Sequence, residues 1–177
     1  LSHYHLHGEY SLQSSITKSG YSLNDVTDVI LTHLHFDHCG GAVKWKNNDR
    51  KILEPVFKNA TYWSNKNHWD WAMKPNPREK ASFLSNNISP IEESGQLKFI
   101  KRRGQLTKDI FQNMDIFFAD GHTESQMIPI INYNGQKIAF MADLLPSIGH
   151  IPLPYVMGYD TRPLKTLREK SIFLELA

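Results

Sequence analysis

Four residues able to ligate a cation, His33, His35, Asp37 and His38, stand within six positions of the stretch Thr32–Gly41, which reads THLHFDHCGG. Imidazole and carboxylate groups are costly to bury unless something pairs with them, so the cluster is either a solvated loop or a site holding a cation. In an extended backbone His33 and His35 project to one side with Asp37 nearby, while His38 is aimed differently. That alternation suits two ions better than one. Neutral imidazole with carboxylate is a ligand set favoured by zinc and acceptable to iron or manganese, and Cys39 is not needed as a thiolate.

Two further ligand-type residues follow other apolar runs. His122 sits in Asp120-Gly121-His122-Thr123 after Ile116–Ala119, and Asp143 follows Lys137–Ala142. With the histidine cluster after Val29-Ile30-Leu31, three predicted strands each deliver a ligand at the same kind of position, the loop at a strand end where a rigid scaffold presents chemistry. Ala42 onward is expected to start a helix. Thr61-Tyr62-Trp63 and Leu97–Ile100 read as strands, and Asn67–Met73 and Arg78–Ile88 as helices or helical turns broken by Pro75 and Pro77. Asn134-Gly135 between Met127–Tyr133 and Lys137–Ala142 predicts a tight hairpin, because both residues tolerate positive φ. Pro163, Leu164 and Leu167 predict a short helix, with Ile172-Phe173-Leu174 opening another strand.

The 177 residues match one domain with an ordinary share of apolar and charged residues. A net charge of +2 and one short basic run, Lys101-Arg102-Arg103, argue against a nucleic-acid track; the run reads as a solvated surface turn. A single cysteine excludes an internal disulfide framework and fits a reducing compartment, so the expected location is cytoplasmic. Cys39 itself reads as a small buried filler. No apolar stretch approaches the ~20 residues that span a bilayer. The chain starts at Leu1 rather than methionine, and its last apolar run is not closed by a turn, so a fragment is expected.

The HxHxDH motif at His33, His35, Asp37 and His38, the GHT at Gly121–Thr123, and Asp143 after an apolar strand together resemble the metallo-β-lactamase superfamily of metal-dependent hydrolases. The resemblance implies an α/β fold, an αββα sandwich with a two-metal site at one edge. It implies that His33, His35 and His122 hold one ion, Asp37 and His38 the other, and that Asp143 bridges them. It also implies that residues 1–177 form a single metallo-hydrolase domain lacking N-terminal strands and a C-terminal segment. Two departures stand out: no acidic residue before a glycine in a strand pair precedes Val29, and no final histidine follows Ile172. His150, in a proline-rich segment, is not read as its substitute. Nor does a second histidine follow the GHT, as it often does in lactonase-like and glyoxalase-like members; Glu124-Ser125-Gln126 stands there.

Two divalent ions, zinc first and iron(II) or manganese(II) as alternatives, would share a hydroxide usable at neutral pH, with no serine or cysteine nucleophile. Asp37 could accept and return its proton, and Thr32 and Thr123 could fix the imidazole tautomers. The expected activity is hydrolysis of a small ester, lactone, amide or thioester; the alternatives are a phosphodiesterase or nuclease of the same superfamily, or a metal-binding domain without turnover. A redox member would carry glutamate in place of His35. The partner is a small-molecule substrate, with neither nucleic acid nor membrane expected. His3, His5 and His7 read as surface or pocket wall, and Trp63, His68, Trp69 and Trp71 as core or lid packing. Tyr155 and Tyr159 read as structural residues.

Overall fold

The computed structural model describes residues 8, 9, 11–47 and 50–176, so His3, His5 and His7 lie outside it. In chain order the elements are α1 (Leu12–Lys18), β1 (Asp28–Ile30), α2 (Phe36–Cys39), β2 (Val43–Trp45), β3 (Leu53–Pro55), β4 (Thr61–Ser64), α3 (Lys66–Met73), α4 (Ser85–Glu93), β5 (Leu97–Phe99), β6 (Leu106–Phe111), β7 (Met114–Ala119), β8 (Gln126–Tyr133), β9 (Gln136–Ala139) and α5 (Pro163–Leu176).

Side-chain alternation along β7 shows how the layers form. Ile116 and Phe118 point to one face, where they pack with Ile100, Met127, Ile30 and Trp63; Phe117 and Ala119 point to the other, against Ile128, Leu144 and Phe173 of α5. A strand buried on both faces reads as a continuous apolar run, and this one does. β7 lies in an antiparallel sheet of order β6-β7-β8-β9, and β1, β4 and β5 form a second, parallel sheet of order β1-β4-β5. The outer face of the parallel sheet is covered by α3 and α4 through Leu31, Leu34, Tyr62, Trp69, Ile88 and Ile91. The layers therefore run helices, sheet, sheet, helix, the αββα sandwich expected. β2 and β3 form a separate antiparallel pair.

The predicted hairpin is present. Gln126–Tyr133 pairs with Gln136–Ala139, and Asn134 and Gly135 take φ of 51° and 75°. Other expectations need correction. Ala42 ends a short 3-10 turn rather than starting a helix, and Val43–Trp45 is a strand. Of the helix or helical turns expected over 78–88, residues 78–82 are turns, and the helix begins only at Ser85 and continues through Pro90 to Glu93; burial of Ile88 and Ile91 outweighs the one N–H that proline removes. Residues 172–174 are not a strand but the last turns of α5. Its inward residues are Thr166, Glu169, Lys170 and Phe173, a helical spacing disguised because three of the four are polar. Among the described residues, no helix is long and apolar enough to cross a membrane.

Candidate metal centre

β1 ends at Ile30, and the chain after it runs along the sandwich edge, where Thr32 O accepts from Met127 N–H of β8 at 2.8 Å. This bond joins the two sheets beside the histidines. β7 delivers its loop from the other sheet at the same edge. Gly121 is required there, because a Cβ would fall 2.2–2.5 Å from Thr166 Oγ1, N and Cα on α5. The Glu169 carboxylate accepts from the N–H groups of Asp120 and Gly121 at 2.9–3.0 Å. Asp143 follows β9 after Ala142, whose φ of 42° turns the chain sharply just before it.

These loops bring His33, His35 and His122 together, with one ligand atom from each within 4.8 Å of the others; His33, His38 and Asp143 form a second such group. His122 Nε2 lies 3.1 Å from His35 Nδ1 and 3.2 Å from Asp143 Oδ2. Asp143 Oδ1 lies 3.2 Å from His38 Nε2. One carboxylate thus turns an oxygen to each group. Two ligand atoms at about 2.0–2.1 Å from one tetrahedral ion are separated by roughly 3.3 Å, close to these spacings. Asp37 lies at the rim, exposed, with Oδ2 3.6 Å from His38 Nε2 and outside both groups.

The outer nitrogens of the imidazoles are held. His122 Nδ1 is 3.1 Å from Asp160 Oδ1, and His35 Nε2 is 3.3 Å from Glu79 Oε1, both carboxylates being buried. Each ring therefore donates outward and turns a lone pair inward. Thr32 Oγ1 stands 3.3 Å from His33 Nδ1, as expected. Thr123 reaches no imidazole; it is buried near Glu79 without a hydrogen bond of good geometry. His33 Nε2 is buried and has no hydrogen-bond partner. A buried lone pair facing other lone pairs and a carboxylate is the arrangement a cation satisfies.

Electrostatics agree. Burial, followed by the nearby His38, His35, His122 and His68, pushes His33 well below the usual imidazole range, so it is neutral. Burial alone would lower His38, but the Asp143 hydrogen bond and the charges of Asp143 and Asp37 raise it. Burial would raise Glu79, yet bonds from His35, Trp71 and Asn76 bring it to about 2. Cys39 is buried, donates to Leu34 O at 3.3 Å, and has its thiol pushed up to about 12, chiefly by burial. It packs as a filler.

Other residues part from expectation. Arg102 is no solvated charge: it forks onto Asp120 at 2.7 and 3.1 Å and steadies the His122 loop. His150 bonds Ser147 Oγ at 2.8 Å and belongs to neither group. Tyr155 and Tyr159 are largely exposed rather than packed. Trp69 is core, as read, but His68 is a polar connector. Glu79, His68 and Asp160 escaped the sequence reading. Asp160 directly follows Tyr159, but only the fold shows that it faces His122.

No curated protein matches the chain. Among solved structures, a probable metal-dependent hydrolase from Staphylococcus aureus is similar with a TM-score of 0.78 and 23% identity, over 93% of this chain and 55% of that one. AidC, a dizinc quorum-quenching lactonase, gives 0.75 and 24%, over 96% of this chain and 60% of that one. AbOPH, a hydrolase in the beta lactamase superfamily, gives 0.72 and 23%, over 94% and 58%. At such identities the likeness is one of fold, and this chain spans 55–60% of the length of the structures it matches. The family profile described as the metallo-beta-lactamase superfamily matches residues 4–174, and with nearly the whole chain covered, the protein belongs to that superfamily.

Proposed function

We propose that the centre holds two divalent ions, zinc in the first instance with iron(II) or manganese(II) as alternatives, and that it hydrolyses a small ester, lactone, amide or thioester. The observation that carries this reading is the pair of ligand groups sharing His33, with Asp143 presenting one oxygen to each. In this reading His33, His35 and His122 would hold one ion, His38 would hold the other with Asp37 joining it from the rim, outside the two groups as they stand, and Asp143 would serve both. Bound there, the ions would lower the pKa of water and polarise the oxygen of the bond under attack. The chain supplies the rest. Glu79 and Asp160 keep two imidazoles in the tautomer that faces inward. Asp37, exposed at the rim, takes the proton from water and returns it to the leaving group. With Arg102 engaged by Asp120, the one tight basic run offers less to a nucleic-acid backbone, which favours an organic substrate.

The test uses purified protein with p-nitrophenyl esters, a lactone series and bis-p-nitrophenyl phosphate, with and without chelator, while elemental analysis counts ions. Turnover of an ester or lactone that stops on ion removal and returns with zinc is expected. Activity that survives stripping rejects the reading, and preference for the phosphodiester moves it to the phosphodiesterase class.

A further inference from the structure

His68 is among the fully buried side chains, yet it is polar and lies on α3, outside every ligand loop. Its Nε2 accepts from Leu34 N–H at 2.8 Å, and its Nδ1–H donates to Glu124 O at 2.5 Å. Leu34 is the residue between His33 and His35; Glu124 lies two residues past His122. One ring therefore spans the two loops that supply the three-histidine group.

The same turn of α3 reinforces the link. Asn65, its N-cap, accepts from His68 N–H at 2.9 Å and donates through Nδ2 to Ser125 O at 2.8 Å. Leu34 is fixed at its other end as well, since its carbonyl accepts from the Cys39 thiol. For His33 and His35 to share a direction, the residue between them must stay extended. β1 has ended by then, so no strand partner takes the Leu34 amide, and a buried N–H left without an acceptor is destabilising. A neutral imidazole meets the need with a lone pair on one side and a donor on the other in a rigid ring.

We propose that His68 is a positioning residue for the ion centre, a strut that sets the separation between the His33–His35 loop and the His122 loop. This rests on reading those loops as an ion-binding centre. Packing alone would be met by any ring of similar size, whereas a strut needs both an acceptor and a donor. The two roles separate in paired variants: His68→Phe keeps the ring and removes both bonds, and His68→Gln keeps one acceptor and one donor.

The experiment measures zinc affinity against a competing chelator, the visible spectrum of the cobalt(II)-loaded protein, and Tm, for the intact wild type, both variants, and Ile130→Ala as a control that weakens the core between the antiparallel sheet and α5, apart from Leu34 and α3. Loss of a positioning partner typically costs metal sites 10–100-fold in affinity, so His68→Phe is expected to fall about that far with a changed cobalt spectrum, while His68→Gln stays within about threefold of the wild type. Ile130→Ala should lower Tm with affinity unchanged. Wild-type affinity in His68→Phe, or equal losses in both variants, would overturn the proposal. If His68→Phe does not fold, the wild type still decides: a 15N–15N coupling across the hydrogen bond from Leu34 N–H to His68 Nε2 is expected, and its absence overturns the strut. A wild type that binds no divalent ion rejects the centre itself, a result distinct from either variant's.

Discussion

A histidine ring can bind a cation only if its inward nitrogen carries no proton, and the outer contacts here enforce that state. Asp160 Oδ1 beside His122 Nδ1 is the clearest case, a buried carboxylate whose second oxygen has no hydrogen-bond partner among the described residues. Replacing it with Asp160→Asn keeps the shape and an acceptor oxygen but removes the charge that polarises the ring. Ion affinity is expected to fall about 10-fold, the mild end of the range for such partners, with the fold unchanged by circular dichroism. Equal affinity in competition titrations would show that the carboxylate charge is idle.

At the scale of elements, α5 decides how the His122 loop sits. Thr166 leaves no room for a side chain at residue 121, so Gly121→Ala forces helix and loop apart. Overpacking of this kind costs about 1–3 kcal/mol, equivalent to roughly 2–12 °C in Tm for a chain of this size, which thermal unfolding would read. One turn further along, buried Lys170 donates to the carbonyls of Pro152, Leu153 and Tyr155 at 2.7, 3.1 and 2.8 Å, latching the segment that leads to Asp160. Lys170→Met should release it, and limited proteolysis should then cut between Ile151 and Asp160 well before the core unfolds. Resistance equal to the wild type would refute the latch. These contacts also mark where the sequence stops being legible. The candidate ligands could be read because HxHxDH is contiguous and GHT and Asp143 each follow an apolar run. Glu79, His68 and Asp160 could not, since their role depends on which loops the fold brings to one edge. The polar inward face of α5 misled for a related reason: Glu169 and Lys170 point inward to hold backbone groups, and hydropathy counts them as outward.

For the molecule as a whole, any ion that binds only the folded chain adds stability by mass action. Zinc at 100 times its Kd contributes about 2.7 kcal/mol, so dialysis against chelator is expected to lower Tm by roughly 5–10 °C, and added zinc to restore it. A Tm indifferent to chelator would mean that the centre is empty in solution. The layer order was legible only through the family resemblance that HxHxDH, GHT and Asp143 carry; the apolar run of β7 showed a buried strand, whereas β2, β3 and β6 carry too few buried residues to stand out.

His33, His35 and His38 hang from one sheet, while His122 and Asp143 hang from the other. In the proposed reading an ion gripped from both sides would act as a rivet through the sandwich, able to leave only when the sheets part or a loop peels away. The rate at which bound zinc trades with an isotope in solution therefore becomes a clock for breathing between the layers, and it should quicken in step with amide hydrogen exchange along β7.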